Sequence, residues 1–315
     1  MRALHWDGTA ARVVDHPTPT VAGDMALVRV HLAGICNTDL ELVKGYMNFR
    51  GVLGHEFVGT VDEGPEGWRG RRVVGEINFA CGRCATCASG LRRHCPQRRV
   101  MGILAADGTF AELVAVPVAN LHAVPDAVPD DAAVFTEPLA AAFEILEQVH
   151  VQPGTQAVVL GDGKLGLLVA QVLHQAGARV LAVGRHAEKL ALLARRGIET
   201  ISADRWRGAP VDLVVEASGT AAGFQAAVAA TRPRGTLVLK STVAAVAALN
   251  LAPLVINEIT VTGSRCGDFH PAVQALAAGT IDVRALISAR FALQDAPAAL
   301  QCAASRGTLK VLLEP

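Results

Sequence analysis

Apolar and polar residues change their rhythm partway along this chain. Over the first 125 residues the apolar positions come in short runs between turns marked by glycine and proline. ALVRVHLAGI (26–35) alternates apolar and polar positions, as a half-buried strand does, and VVGEI and AELVAV are further short runs of this kind. Near residue 131 the pattern shifts. DAAVFTEPLAAAFEILEQVH is rich in alanine and leucine at helical spacing, interrupted by Pro138. An alternation of near-continuous apolar runs and helical ones follows: QAVVLG (strand), KLGLLVAQVLHQAG (helix), RVLAVG (strand), HAEKLALLARRG (helix), VDLVVEASG (strand), TAAGFQAAVAATRPRG (helix) and TLVLKS (strand). Strands without a polar face, separated by helices, predict a parallel sheet covered on both sides. After ITVTGSR come one helix, HPAVQALAAG, and two short strand-like pieces. The fold class is α/β: a doubly wound parallel sheet beside a β-rich domain.

Length and composition fit this division. The chain has 315 residues, enough for about two domains, and 51% of them are hydrophobic. Lys and Arg balance Asp and Glu at 29 each. That balance argues against a nucleic-acid or anionic-membrane partner, which demands a basic surplus. MRALHWDG carries no apolar leader, and the longest apolar stretch, TVAAVAALNLAPLVIN, contains Asn250 and Pro253 and is too short to span a bilayer. The expectation is a cytoplasmic protein, and in that compartment clustered cysteines bind metal more often than they form disulfides.

The segment Gly161-Asp162-Gly163-Lys164-Leu165-Gly166 fits G-x-G-x-x-G. It follows an apolar strand and opens a helix, the context in which such glycines bring a pyrophosphate to free helical N–H groups. A glycine-rich turn without a ligand is the plainer alternative. NAD-binding folds place Asp or Glu at the end of the next strand, on the ribose 2′-hydroxyl. Here that position is Gly184, followed by Arg185. A small residue plus a guanidinium would accept a 2′-phosphate, so NADP(H) is expected over NAD(H). Arg185 as a solvated start to the following helix is the other reading.

Four of the seven cysteines lie in CGRCATCASGLRRHC, at Cys81, Cys84, Cys87 and Cys95. Two-residue gaps let thiolates converge on one ion, and four thiolates close a tetrahedral zinc shell with no place for substrate, so this lobe is expected to be structural. Free buried thiols are the alternative. Arg83, Arg92, Arg93, Arg98 and Arg99 nearby could offset its negative charge. A second set is dispersed: Cys36 in GICNTD, His55 and Glu56 in GHEFVG, and Glu137 in TEPLA. Taken singly, each could be a core thiol, a turn residue or a helix-start acid.

Taken together, GICNTD, GHEFVG, the four-cysteine lobe, DGTFAEL, EPLA, the G-x-G-x-x-G segment and ITVTGS occur in an order that resembles the zinc-dependent medium-chain dehydrogenase/reductase family over essentially the whole chain. The resemblance implies a GroES-like catalytic domain over 1–130, a Rossmann domain over 131–266 and a return to the catalytic domain over 267–315. It implies an active site between the domains and a homodimer or homotetramer. Cys36 and His55 would be catalytic-zinc ligands, with Glu56, Glu137 or both beside them. Asp39 would orient His55, and Thr38 would pass on the substrate proton. Glu41 stands where the next relay member is often histidine. Lys310 matches a cationic pyrophosphate contact. Glutamate in EPLA, where the alcohol-dehydrogenase branch has cysteine, resembles the sorbitol, glucose and other polyol dehydrogenases.

Two segments depart from the family. SADRWRGAP is too short for the helix usual between the third and fourth Rossmann strands, and KGYMNFRGVL, with Tyr46, Phe49 and Arg50, is a shortened pocket wall. The expected activity is hydride transfer between a secondary alcohol, polyol or sugar and NADP(H), with two zinc ions per chain, one catalytic and one structural. An NAD-dependent simple-alcohol or threonine-type dehydrogenase and a non-catalytic dinucleotide-binding protein are the alternatives.

Overall fold

The computed structural model describes residues 1–241 and 250–315, and the chain divides into two compact units, Met1–Glu137 with Phe269–Pro315, and Pro138–Asp268. Half of the long apolar stretch noted above, residues 242–249, lies outside the described residues. No described helix is long and apolar enough to cross a membrane.

The first unit is organised by the strand Met25–Gly34. It pairs antiparallel with Glu56–Glu63, with Leu113–Pro117 and with the C-terminal strand Lys310–Glu314. Contacts on so many sides bury nearly all of it, leaving Arg29 exposed and His31 half-buried, so the strand is more enclosed than its alternation predicts. The register sets Gly34 opposite Glu56 on one side and Leu312 on the other. A Cβ at Gly34 would collide with the Glu56 carboxylate, so only glycine lets that carboxylate cross the strand end. The C-terminal segment also contains a helix that the hydrophobic pattern did not reveal, Ala296–Ala304, with proline in its first turn.

The second unit holds a six-stranded parallel sheet. Its strands lie in the order Glu199–Ser202, Arg179–Gly184, Gln156–Leu160, Val211–Glu216, Thr231–Leu239, Thr260–Gly263. Numbered along the chain this is 3-2-1-4-5-6, the Rossmann order, whose reversal point lies beside the first strand. The helix Lys164–Gln175 buries an unbroken run from Gly166 to Leu173. No helix lies between Ser202 and Val211, as the short SADRWRGAP segment predicts.

Two elements differ from the pattern. Pro138 does not interrupt its helix. The helix runs from Thr136 to Gln148, which puts Pro138 in the first turn, where a missing N–H costs no intrahelical bond; the break falls earlier, after Asp130–Ala133. The helix expected through TRPRG stops at Ala230, and Thr231–Leu239 is a strand. Pro233 and Gly235 cannot extend a helix, and Val211↔Thr231 followed by Leu213↔Thr236 shows how a bulge absorbs them.

The glycine loop has unequal tolerances. A Cβ at Gly166 would strike the Gly161 carbonyl oxygen, whereas one at Gly163 meets nothing within 4 Å. Gly166→Ala should lower stability by about 1–3 kcal/mol, seen as a fall of about 2–10 °C in calorimetric Tm, and Gly163→Ala should leave Tm nearly unchanged.

Candidate active site and metal centres

The strand Met25–Gly34 delivers the chain to Cys36, which caps the helix Asn37–Leu42. The cap is reciprocal: the Cys36 sulfur faces the Asp39 backbone N–H, and the Cys36 N–H donates to Asp39 Oδ2 at 2.8 Å. The same carboxylate turns Oδ1 toward His55 Nδ1 at 3.2 Å, and both residues are buried. That contact leaves Nε2 of His55 for the Cys36 side. Burial alone would push the His55 pKa down; the negative charges of Asp39 and Cys36 outweigh it and hold the imidazole well above its ordinary range. A cation held there would take over the role of that proton.

Cys36, His55 and Glu56 each bring one ligand atom within 4.8 Å of the others. Glu56 is buried, with Oε2 on the Lys310 ammonium and Oε1 without a hydrogen-bond partner. A thiol, an imidazole and a buried carboxylate oxygen lacking a donor form a borderline-soft set that suits zinc and leaves a coordination position open. Thr38 Oγ1 lies 3.7 Å from Cys36 Sγ, at the edge of this set.

Glu137 is half-buried in the first turn of Thr136–Gln148 and is not part of the three-residue group. Glu41 pairs with Lys44 at 2.9 Å. Lys310 is 1% exposed; besides Glu56 it faces the Ile35 carbonyl at 3.5 Å and lies 5.6 Å from the centre of the Phe135 ring. These contacts all lie inside the first unit. Arg50 is exposed and lies over Gly8, and Phe49 is core.

The four sulfurs of Cys81, Cys84, Cys87 and Cys95 converge, with separations of 3.5, 3.5, 3.8 and 4.0 Å. A zinc–sulfur bond of about 2.3 Å makes the edge of a ZnS4 tetrahedron about 3.8 Å. The lobe therefore fits zinc, and all four thiols are free of disulfides. Backbone N–H groups of Arg83 and Cys84 lower the Cys81 pKa to about 6, while burial pushes Cys87 up to about 11.

In the second unit Gly161 adopts φ +124°, and a Cβ there would stand 2.5 Å from the Ala217 carbonyl oxygen. Gly163 caps Lys164–Gln175, whose first turn holds Lys164, Leu165 and Gly166. This is a cradle suited to a pyrophosphate. Gly184 ends its strand as expected, with Arg185 exposed beyond it. The strand end is not free of carboxylate, however. Asp162 Oδ2 accepts from the backbone N–H groups of Arg185 and His186, both at 2.6 Å, and lies 3.0 Å from His186 Nδ1. Only the unusual Asp inside the glycine motif signalled this, and offset along the chain gave no hint of where it would reach.

Residues 22–126 match the alcohol dehydrogenase GroES-like domain, and residues 165–280 match the zinc-binding dehydrogenase domain. The chain is 28% identical to a sorbitol dehydrogenase of Halalkalibacterium halodurans, over 100% of this chain and 98% of the relative. It is 30% identical to the 2-dehydro-3-deoxy-L-galactonate 5-dehydrogenase of Pseudoalteromonas atlantica, over 90% of this chain and 89% of the relative. A zinc-binding dehydrogenase from Sinorhizobium meliloti, solved with NADP bound, superposes with a TM-score of 0.92 at 29% identity, covering 100% of this chain and 99% of that one. With its GroES-like and Rossmann units and its two donor sets, the chain belongs to the zinc-type medium-chain dehydrogenase/reductase family, a family of alcohol-dehydrogenase-like oxidoreductases.

Proposed function

We propose that this enzyme oxidises a secondary hydroxyl of a polyol or sugar, reversibly, with a nicotinamide dinucleotide as hydride partner and two zinc ions per chain. The observation that carries the reading is the buried Cys36–His55–Glu56 group with Thr38 beside it. When bound, zinc supplies Lewis acidity toward the hydroxyl oxygen, and the nicotinamide supplies the hydride chemistry. The chain's own part is positional. Asp39 fixes the tautomer and plane of His55, as carboxylates behind metal-bound histidines do. Thr38 Oγ1 takes the hydroxyl proton and passes it outward. Glu41, on the same helix and paired with Lys44 at 2.9 Å, is the candidate for the next carrier toward solvent. Glu137 remains the candidate for a further carboxylate ligand.

The polyol preference rests on carboxylate donors and on the similarity to sorbitol and sugar-acid dehydrogenases. A harder, more labile zinc shell exchanges ligands as a diol docks. A non-catalytic role is disfavoured because a buried, unpartnered Glu56 oxygen is costly unless a ligand uses it.

We also propose that the chain self-associates through its second unit. The strand Thr260–Gly263 is an edge, pairing only with Thr231–Leu239 among the described residues. Beside it Val255 and Ile256 are each 77% exposed and Val261 is 40% exposed. An open edge flanked by apolar side chains suits the same edge of a second copy.

Three measurements test these readings. Cys36→Ser should lower kcat at least about a thousandfold while one zinc per chain remains, whereas Cys84→Ser should mainly lower Tm. An active wild type with zinc in the cysteine lobe alone, by elemental analysis of both variants, would overturn the two-zinc assignment. Catalytic efficiency on a polyol should exceed that on the mono-alcohol of equal chain length by about tenfold or more; the reverse on every pair would refute the polyol preference. Light scattering should give a dimer or tetramer for the wild type and a smaller species for Ile256→Asp.

A further inference from the structure

We infer that Asp162 is the residue that reads the adenosine ribose and that it selects NAD(H) over NADP(H), reversing the preference expected from Gly184 and Arg185. The inference rests on the dehydrogenase reading and deepens it.

The end of the second Rossmann strand is where a carboxylate accepts the ribose 2′-hydroxyl in NAD-binding folds. In this chain that strand ends in Gly184, and a Cβ built there would stand 2.5 Å from Asp162 Cβ and 2.6 Å from Asp162 Oδ2. Asp162 thus fills the volume that a side chain at position 184 would enter. The carboxylate has not been lost from the strand end; it arrives from the glycine loop on the neighbouring strand.

Donors come next. A 2′-phosphate at this strand end would use the backbone N–H groups that follow Gly184. Both are taken: Arg185 N and His186 N donate to Asp162 Oδ2 at 2.6 Å. His186 adds Nδ1, at 3.0 Å from Oδ2 and 3.2 Å from Oδ1. The other histidine nitrogen, Nε2, is buried without a hydrogen-bond partner, so the polar contacts that hold the ring are those to Asp162. Asp162 itself is 8% exposed. A phosphate would have to displace a well-held carboxylate or lie against its charge, a cost that the exposed Arg185 would have to offset. A ribose hydroxyl meets no such obstacle, because it donates to the acceptor capacity left on Oδ1.

The geometry also changes the obvious engineering experiment. Gly184→Asp by itself would clash with Asp162 and repel it, so the informative variant exchanges the two positions.

The test is calorimetric titration of the zinc-loaded enzyme with NADH and with NADPH, which reads binding without turnover. The wild type should bind NADH at least about tenfold more tightly than NADPH. Asp162→Asn, the same size without the charge, should reduce that ratio to near unity, and Asp162→Ala should do the same. Asp162→Ala/Gly184→Asp should restore it, and Arg185→Ala should leave it within about threefold of the wild-type value. NADPH binding as tightly as NADH, or more tightly, with the advantage lost in Arg185→Ala, would overturn the inference and leave the dehydrogenase reading standing. A folded wild type that binds neither dinucleotide would overturn both.

Discussion

The buried carboxylate of Asp39 is the constraint on which the Cys36–His55 end of the first unit depends. One oxygen takes the Cys36 N–H and so fixes where the strand stops and the helix begins. The other faces His55 Nδ1, on a segment that follows nearly twenty residues later. A single anion therefore sets the backbone of Cys36 and the ring of His55. Its own burial is offset by the Cys36 N–H on Oδ2 and by the imidazole that Oδ1 meets in a charge contact at 3.2 Å. Removing the charge would loosen the cap, free the imidazole and leave Cys36 and His55 without a shared reference.

Glu56 poses the opposite problem. It is a buried carboxylate on a central strand, and Lys310 answers it from the strand that enters the sheet last. Buried ion pairs contribute little net stability, yet breaking one by deleting a partner costs about 3–5 kcal/mol. Once the Glu56 carboxylate is buried, the pair therefore penalises any arrangement in which the C-terminal strand leaves the sheet. Gly34 belongs to the same arrangement, since any side chain there would occupy the carboxylate's place. Closure of the fold and readiness of the site come from one contact.

Much of this could be read from the sequence, and the division between legible and hidden has a physical cause. The Rossmann strands announce themselves because a strand buried on both faces must be apolar throughout. The cysteine lobe does so because its ligands are local: short gaps force the thiols together whatever the rest of the chain does. Cys36 and His55 are individually mute, since their meeting is made by strand pairing and by Asp39, and resemblance alone joined them in advance. The resemblance offers Lys310 to a pyrophosphate by its place in TLKVLLE. Which anion it meets is decided by register, and within the first unit that anion is Glu56. The helix Ala296–Ala304 escaped notice because small residues dominate it and blur the periodicity on which such readings depend.

Asp162 shows the limit of motif reading most sharply. A fingerprint assigns roles by distance along the chain: glycines first, acid at the end of the next strand. The ligand, by contrast, meets a volume and a charge. The parallel pairing of Gln156–Leu160 with Arg179–Gly184 brings the loop after one strand against the end of the other, so the same volume can be filled from either side. A glycine at the expected position then implies an open phosphate site only if the facing loop residue is also small. In this chain it is an aspartate, held by two backbone N–H groups and a histidine. The two positions make one determinant, and reading either without the other reverses the sign of the charge that a bound dinucleotide meets.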